Sequence, residues 1–375
     1  MPRYVYPTLD ENIREFRILR LYRRTLCAEL KCSLIQLSID QAPPFEAISY
    51  TWGGEEPTAG IVVDGCWLPV TPTVSKWLWY RRSFFSEAYF WIDAVCIDQQ
   101  NNCEKSSQIR LMRDIYQRAS RTLVWLAHPS EARNSIAALG FIMAMAPLSA
   151  LEECFGQLPM GQLIYIDMPT VVPAMSRSYF HRVWIVQEVA LARKVHIMYG
   201  DVIMDWDTFY QASKAMLMMA RTGTMNVTSE DIVQMAFADT SRNMVTINTI
   251  NTIREQCRAC HHFSLREVLE KLRGFEATKP HDAIFGFLGI IRDESSDRFL
   301  ACPSYKEPVQ CLFTRTARYL MRQDESLSLI QFAGSGYPRQ VGHLPSWVPD
   351  WSSPVWPHRK VSSRGSAEDC DVSMA

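Results

Sequence analysis

Short apolar runs separated by turn residues fill the first part of the chain. Phe16 to Leu21 and Cys32 to Leu37 read as strands on either side of a polar turn region. Pro43-Pro44 stops the chain before a further strand, Ala47 to Tyr50, which runs into Trp52-Gly53-Gly54. Paired glycines there permit the backbone angles of a sharp loop. Ile61-Val62-Val63 and Trp67-Leu68-Pro69-Val70 flank Asp64-Gly65, a hairpin signal. A helical period then takes over. Thr71-Pro72 supplies an N-cap and a first-turn proline, and Val74, Trp77 and Leu78 fall on one face.

The pivot of the pattern is Phe90-Trp91-Ile92-Asp93-Ala94-Val95-Cys96-Ile97-Asp98-Gln99. It reads as a buried parallel strand that delivers acid and amide groups to the sheet edge, where ligands sit in α/β folds. Asn101 and Glu104 form a capping-box pattern ahead of a helix that carries Ile109, Met112, Tyr116 and Ala119 on one stripe. Thr122 to Leu126 follows as another strand. Strand, helix, strand, helix, strand predicts a parallel sheet with right-handed crossovers.

Ser130 to Thr170 reads as an insertion with helical Ala/Leu/Met segments. A helix is predicted from Ser178 to about Arg193, then a strand, Val195 to Tyr199, and a turn at Gly200-Asp201. Beyond it, Met-rich helical periodicity covers Trp206 to Ala220 and Ser229 to Glu255. Leu265 to Leu272 and Ala283 to Ile290 read as helices, the second capped by Asp282. Leu344 to Trp351 reads as an extended aromatic segment lying across the surface. The pattern divides the chain into an N-terminal β region (1–44), an α/β domain (45–205), a helical C-terminal extension with a Trp/Pro-rich end (206–357) and a disordered polar tail (358–375).

Composition narrows the function classes. Hydrophobic residues make up 47% and charged residues 21% of the 375 positions, a globular balance. A net charge of −1 with scattered Lys and Arg argues against a nucleic-acid partner. No run reaches the roughly 18 apolar residues of a spanning helix, and the polar, proline-broken start, Met1 to Pro7, is no secretory signal. Eleven cysteines without framework spacing suit reduced thiols, so the expected location is cytoplasmic.

Three stretches are expected to converge on one sheet edge: Ala47 to Gly53, the pivot, and Trp184-Ile185-Val186-Gln187-Glu188. On the predicted helix Glu188 stands one turn beyond Trp184, at the edge of an aromatic face, where partial desolvation raises a carboxyl pKa. Such an acid can hold a ribose hydroxyl or offset positive charge on a sugar carbon. The alternatives are an ion pair with Arg182 or Arg177, or a packing hydrogen bond. Asp93 is placed either to orient a ligand hydroxyl or to accept from the Tyr50-Thr51-Trp52 loop and pin two strand ends. Cys257-Arg258-Ala259-Cys260-His261 matches a haem-attachment spacing, but no second Cys/His pair follows, so these read as helix residues and no metal is assigned. No phosphate loop or nucleophile elbow occurs.

Taken together, Phe45-Glu46-Ala47-Ile48-Ser49-Tyr50-Thr51-Trp52-Gly53, Trp91 to Gln99, Glu104-Lys105 with Gln108, Met112, Ile115-Tyr116 and Ala119, and Arg182 to Glu188 with Leu191-Ala192 resemble the heterokaryon incompatibility (HET) domain family of filamentous fungi. Weaker echoes lie in His281 to Gly289 and Pro345 to Trp351. Phe45 stands where the family tends to have tyrosine, and Asp98 where asparagine is commoner. The resemblance implies a role in non-self recognition and programmed cell death, with protein partners and self-association. It also implies distant kinship with the TIR domain: a flavodoxin/TIR-like parallel sheet flanked by helices, here with an added N-terminal β region and a C-terminal mostly helical extension. Some TIR domains cleave NAD using a glutamate four residues after a tryptophan, the spacing of Trp184 and Glu188. That analogy makes NAD a candidate substrate, with no bound cofactor, and Glu188 the candidate catalytic residue of an NAD glycohydrolase. Ser49, Tyr50, Trp52, Asp93 and Trp184 are the candidate ligand-binding residues. The alternative is a non-catalytic assembly module of the same pathway.

Overall fold

A computed structural model describes residues 1–24, 30–132, 134–155, 173–221, 231–292, 303–323, 327–333 and 339–353. The chain begins with β1 (Glu15–Leu21) and β2 (Lys31–Ser38), which pair antiparallel, and continues into β3 (Glu46–Tyr50). The hairpin β4 (Ala59–Val63) and β5 (Cys66–Val70) turns at Asp64 and Gly65, both with positive φ, the conformation a two-residue primed turn requires. Next come α1 (Pro72–Arg81), β6 (Ala88–Trp91), a short α2 (Asp93–Cys96), α3 (Asn102–Arg118) and β7 (Arg121–Ala127). After α4 (Ser135–Phe155) the chain forms α5 (Ile185–Ala190), β8 (Val195–Tyr199) and β9 (Val202–Asp205). The remainder is helical: α6 (Trp206–Arg221), α7 (Asp231–Arg258), α8 (Leu265–Lys271), α9 (Asp282–Phe285) and α10 (Val309–Gln323).

Among the described residues, nine strands form one mixed sheet in the order β5-β4-β2-β1-β6-β3-β7-β8-β9. At its centre β6, β3, β7 and β8 run parallel. Counted from β3 in chain order, these four stand 2-1-3-4. The chain leaves the carboxyl end of β3 for a neighbour on one side and then crosses to the other, which opens a crevice at that edge. β3 and β7 are buried almost throughout, as parallel strands covered on both faces must be. The antiparallel β1–β2 pair extends the sheet beyond β6, and β9 closes the other side.

Several sequence expectations need correction. The pivot is a strand only to Trp91. Asp93 then turns its carboxylate onto the Ala94 amide at 2.7 Å, and Val95 and Cys96 are buried from a helical turn rather than from a strand. The helix expected from Ser178 to Arg193 is broken: a 3-10 turn at Ser178–His181, an extended Arg182, then α5. The break exists because Arg182 forms a β-bridge with Glu276, with Val183 N–H donating to the Glu276 carbonyl at 2.9 Å.

Asn101 caps α3 as expected, but Glu104 does not reach back to close a capping box. It turns instead to Arg17, buried in the core, and to the Asp98 amide. The helix predicted for Ala283 to Ile290 is the single turn α9, and Asp282 leaves its own helix uncapped in favour of a tertiary bond. β9 was not anticipated, though it alternates buried and exposed. Leu344 to Trp351 does not lie across the surface. Val348 and Trp351 are buried, and the Asp350 carboxylate accepts from the Gln340 and Val341 amides at 2.7 and 2.8 Å. The proposed tail, 358–375, and most of the loop side of the expected insertion, 156–170, lie outside the described residues.

Candidate functional site

The crevice at the carboxyl end of β3 and β6 is a cavity of about 600 Å³, within the usual range for small-molecule sites. Its wall on one side comes from the loop after β3 (Thr51, Trp52, Gly53, Gly54), from Asp93 and Gln99, and from Lys105, Ile109 and Met112 of α3. Arg182 and Trp184 form the floor beside α5. The opposite wall comes from the helical half: Glu276 to Lys279, Asp282 and Tyr305. Gly53 and Gly54 both take positive φ, so the glycine pair allows Trp52 to fold over the edge.

Two indoles in this cavity are fixed in the same way. Trp52 Nε1–H donates to both Asp93 oxygens at 3.3 and 3.2 Å, which pins the loop after β3 to the turn after β6. Asp282 accepts from the Trp184 indole and, at 2.6 Å, from the Tyr305 hydroxyl. Their N–H groups are thus spent on protein partners, and what the rings offer a ligand is their faces. Burial pushes the Asp93 carboxyl up to about 6 despite the Arg182 charge and the donors from Ala94 and Trp52. Burial also raises Asp282.

Glu188 lies one layer deeper. Its side chain is 4% exposed and does not line the cavity. Ser49 donates to its carboxylate, Tyr116 supplies a second hydrogen bond, and Tyr179 hydrogen-bonds the Ser49 hydroxyl at 2.5 Å. Burial is the first cause that lifts its pKa to about 7. The Arg182 charge opposes that rise and the Asp93 charge adds to it. Neither Arg182 nor Arg177 lies within ion-pair distance of it. Arg182 donates to the Tyr50 carbonyl instead, and Arg177 donates to the Pro173 carbonyl at 2.9 Å. Arg182 therefore stands between the two acids, open to the cavity on one side and bound to β3 on the other.

The structure brings Trp52, Asp93 and Trp184 together around one cavity and sets Ser49, Tyr50 and Glu188 behind it, all three buried. Sequence reasoning missed the wall made by Glu276 to Lys279, Asp282 and Tyr305. The one available signal was His281-Asp282 in the weak echo near Gly289. It also missed Tyr116 and Tyr179 as partners of the Ser49–Glu188 contact, because their distance along the chain gives no clue. Among the described residues, no group of three or more His, Cys, Asp or Glu side chains is gathered as a metal site would need. No helix among them is long and apolar enough to cross a membrane.

Comparison with known proteins fits this geography. Residues 45–188 match the family model described as heterokaryon incompatibility protein (HET). The matched span begins just before β3 and ends on Glu188, so it contains one wall of the cavity and the acid behind it. A curated relative, heterokaryon incompatibility protein 6, OR allele, of Neurospora crassa, is 25% identical over 417 residues. That alignment covers 92% of this chain and 59% of the relative. No solved structure matches the chain. The motifs gathered at one sheet edge are those the family model spans, so residues 45–188 are similar to the heterokaryon incompatibility domain and the chain as a whole is similar to one of its curated relatives.

Proposed function

We propose that this chain is an incompatibility signalling protein, acting with protein partners and by self-association, whose cavity receives an anionic, ring-bearing small molecule of the nucleotide class. The observation that carries the reading is the cavity itself: ring faces from Trp52 and Trp184, acids at Asp93 and Asp282, and cations at Lys105, Arg182 and Lys279, around about 600 Å³. Rings take a base by stacking, carboxylates take sugar hydroxyls, and cations take phosphate. In this reading Glu188 is an internal strut and the event that starts signalling is binding. The 2-1-3-4 order of the parallel strands supports the kinship with flavodoxin- and TIR-like sheets, which carry ligands at that same edge.

A second reading, NAD hydrolysis with Glu188 as the catalytic carboxylate, is favoured by the Trp184–Glu188 spacing and by a carboxyl held near pKa 7 close behind the cavity. It requires the Ser49–Glu188 contact to open so that the carboxylate can reach the ribose. One experiment separates the two. The full chain and its Glu188→Gln variant are incubated with NAD, and both bound NAD and released nicotinamide are measured. Binding without release by either protein supports the receptor reading. Release by the wild type that is lost in the folded variant supports hydrolysis. No binding at all would remove both.

A further inference from the structure

Two lysines face the cavity from opposite sides of the family boundary. Lys105 comes from the first turn of α3, inside residues 45–188. Lys279 comes from the segment that follows the Arg182–Glu276 bridge, outside them. Both ammonium groups lie over the same ring: Lys279 is 4.9 Å and Lys105 5.9 Å from the Tyr305 centroid. The ring is held in place by its hydroxyl, which donates to Asp282.

Among the described residues neither lysine has a carboxylate within ion-pair distance, although acids are nearby. Asp282 is engaged by Tyr305 and Trp184, and Asp93 by Trp52 and Ala94. Glu276 is paired with Arg242 at 3.1 Å. Asp98 has its carboxylate on the Gln100 amide at 3.0 Å. Lys105 is partly buried, and both burial and the Lys279 charge lower its pKa. The two like charges share one platform, and although the Asp282 and Asp98 charges partly offset them, neither ammonium group is held by a carboxylate in contact, so both are placed to take an anion.

We propose that Lys105 and Lys279 form a clamp for the diphosphate of a nucleotide ligand, so that phosphate recognition needs one residue from the family domain and one from the C-terminal segment. The proposal rests on the nucleotide reading of the cavity above. It adds which part of the ligand is recognised and by which residues. Tyr305 is the positioning residue whose ring both ammonium groups approach, and the ring faces of Trp52 and Trp184 remain for the base.

The test is calorimetric titration of the full chain with ADP, with adenosine, and with inorganic pyrophosphate. The wild type is expected to bind ADP at least about tenfold more tightly than adenosine, as loss of a charge-assisted contact implies. Lys105→Ala or Lys279→Ala should bring ADP to within about threefold of adenosine while adenosine affinity stays unchanged. Lys279→Arg should keep the preference, and Lys194→Ala, an exposed lysine away from the cavity, should leave it intact. Equal binding of ADP and adenosine by the wild type overturns the clamp and leaves only the ring-stacking and sugar-binding part of the cavity reading standing. A preference that survives both alanine variants also overturns it. If neither adenosine nor ADP binds, the cavity reading falls and the clamp with it. Pyrophosphate binding that is lost in both variants would support the clamp even where the base contributes little.

Discussion

Ser49 points its hydroxyl into the Glu188 carboxylate, joining the end of β3 to α5 across 139 residues of sequence. The contact is completed by Tyr179 on the serine and Tyr116 on the acid, so a buried carboxyl group is satisfied without a cation in contact. Burial nevertheless leaves the neutral form favoured, which is why the pKa is lifted to about 7 rather than depressed as in an ion pair.

That shift has a consequence for stability with a definite sign. A carboxyl whose pKa is raised on folding binds its proton more tightly in the native state, so its contribution is complete below the unfolded pKa and fades as pH rises through about 7. The loss is on the order of 3 kcal/mol at most. Asp93, lifted to about 6, acts in the same direction. Urea unfolding at about pH 5 and about pH 8 should show the wild type losing stability on the alkaline side, and Glu188→Gln losing clearly less. Ser49→Ala removes a donor to the charged form, so it should raise the folded pKa further, leaving the onset of the fall at the unfolded pKa and extending it to higher pH and larger extent. Parallel curves for wild type and Glu188→Gln would refute the buried assignment.

Gln187 makes a different prediction. Fully buried, its amide donates to the Gly286 carbonyl at 2.6 Å and accepts from the Gly289 N–H at 2.7 Å, tying α5 to the segment after α9. A Cβ on Gly289 would sit 2.2 Å from Gln187 Oε1, so glycine is required by the closeness of approach. Gln187→Ala orphans two backbone groups and should cost about 2 to 4 kcal/mol, and Gly289→Ala about 1 to 3 kcal/mol through overpacking. Because the first change vacates the space the second needs, the double variant should be less destabilised than the sum, by about 1 kcal/mol or more. Simple additivity in denaturant titrations would argue against this clash.

The buried pair Arg17–Glu104 holds the N-terminal segment to the pivot. The guanidinium, 1% exposed, donates to Glu104 at 2.6 and 3.1 Å, to the Cys96 carbonyl at 3.2 Å and to the Pro7 carbonyl, and it lies over the Tyr6 ring. Removing one partner strands the other charge, so Arg17→Met or Glu104→Leu should each cost about 3 to 5 kcal/mol. The paired replacement should recover much of that. Its recovery stays incomplete because the Asp98 amide and the Pro7 and Cys96 carbonyls lose their partners. Thermal melts of the two single variants and the pair provide the check.

What could be read from the sequence follows the range of the forces involved. Strands β1 to β5 and the cap of α1 were legible because the Asp64-Gly65 turn and Thr71-Pro72 are local signals, set by neighbours in the chain. The break at Arg182 was not, since it depends on a bridge to Glu276, and neither was the turn of Glu104 toward Arg17. The candidate site divides in the same way. Trp52, Asp93 and Trp184 meet at one cavity, as the convergence of three stretches implied, whereas the wall containing Lys279 and Tyr305 arrives through long-range packing that no local pattern records. Glu188 was assigned to the rim from its spacing after Trp184. An extended residue ahead of α5 and the Ser49 hydroxyl in front of it put the carboxylate behind the rim instead.

The Trp52–Asp93 bond gives the prediction closest to ligand binding. Asp93 fixes the indole through its N–H and leaves the ring face as the contact surface, so losing the acceptor should free the ring rather than unfold the sheet. Asp93→Asn keeps an acceptor oxygen and removes the charge, and should lower affinity for a nucleotide by only about threefold. Asp93→Ala releases the indole and should lower it by about tenfold or more, equivalent to about 1.4 kcal/mol or more. Trp52→Leu should match the alanine variant, and adding Asp93→Ala to it should bring little further loss, because both act through one ring. Calorimetric titration of the wild type and the four variants with ADP gives the comparison. Equal, additive losses from Trp52→Leu and Asp93→Ala would mean that the acid contacts the ligand directly and is more than a support for the ring.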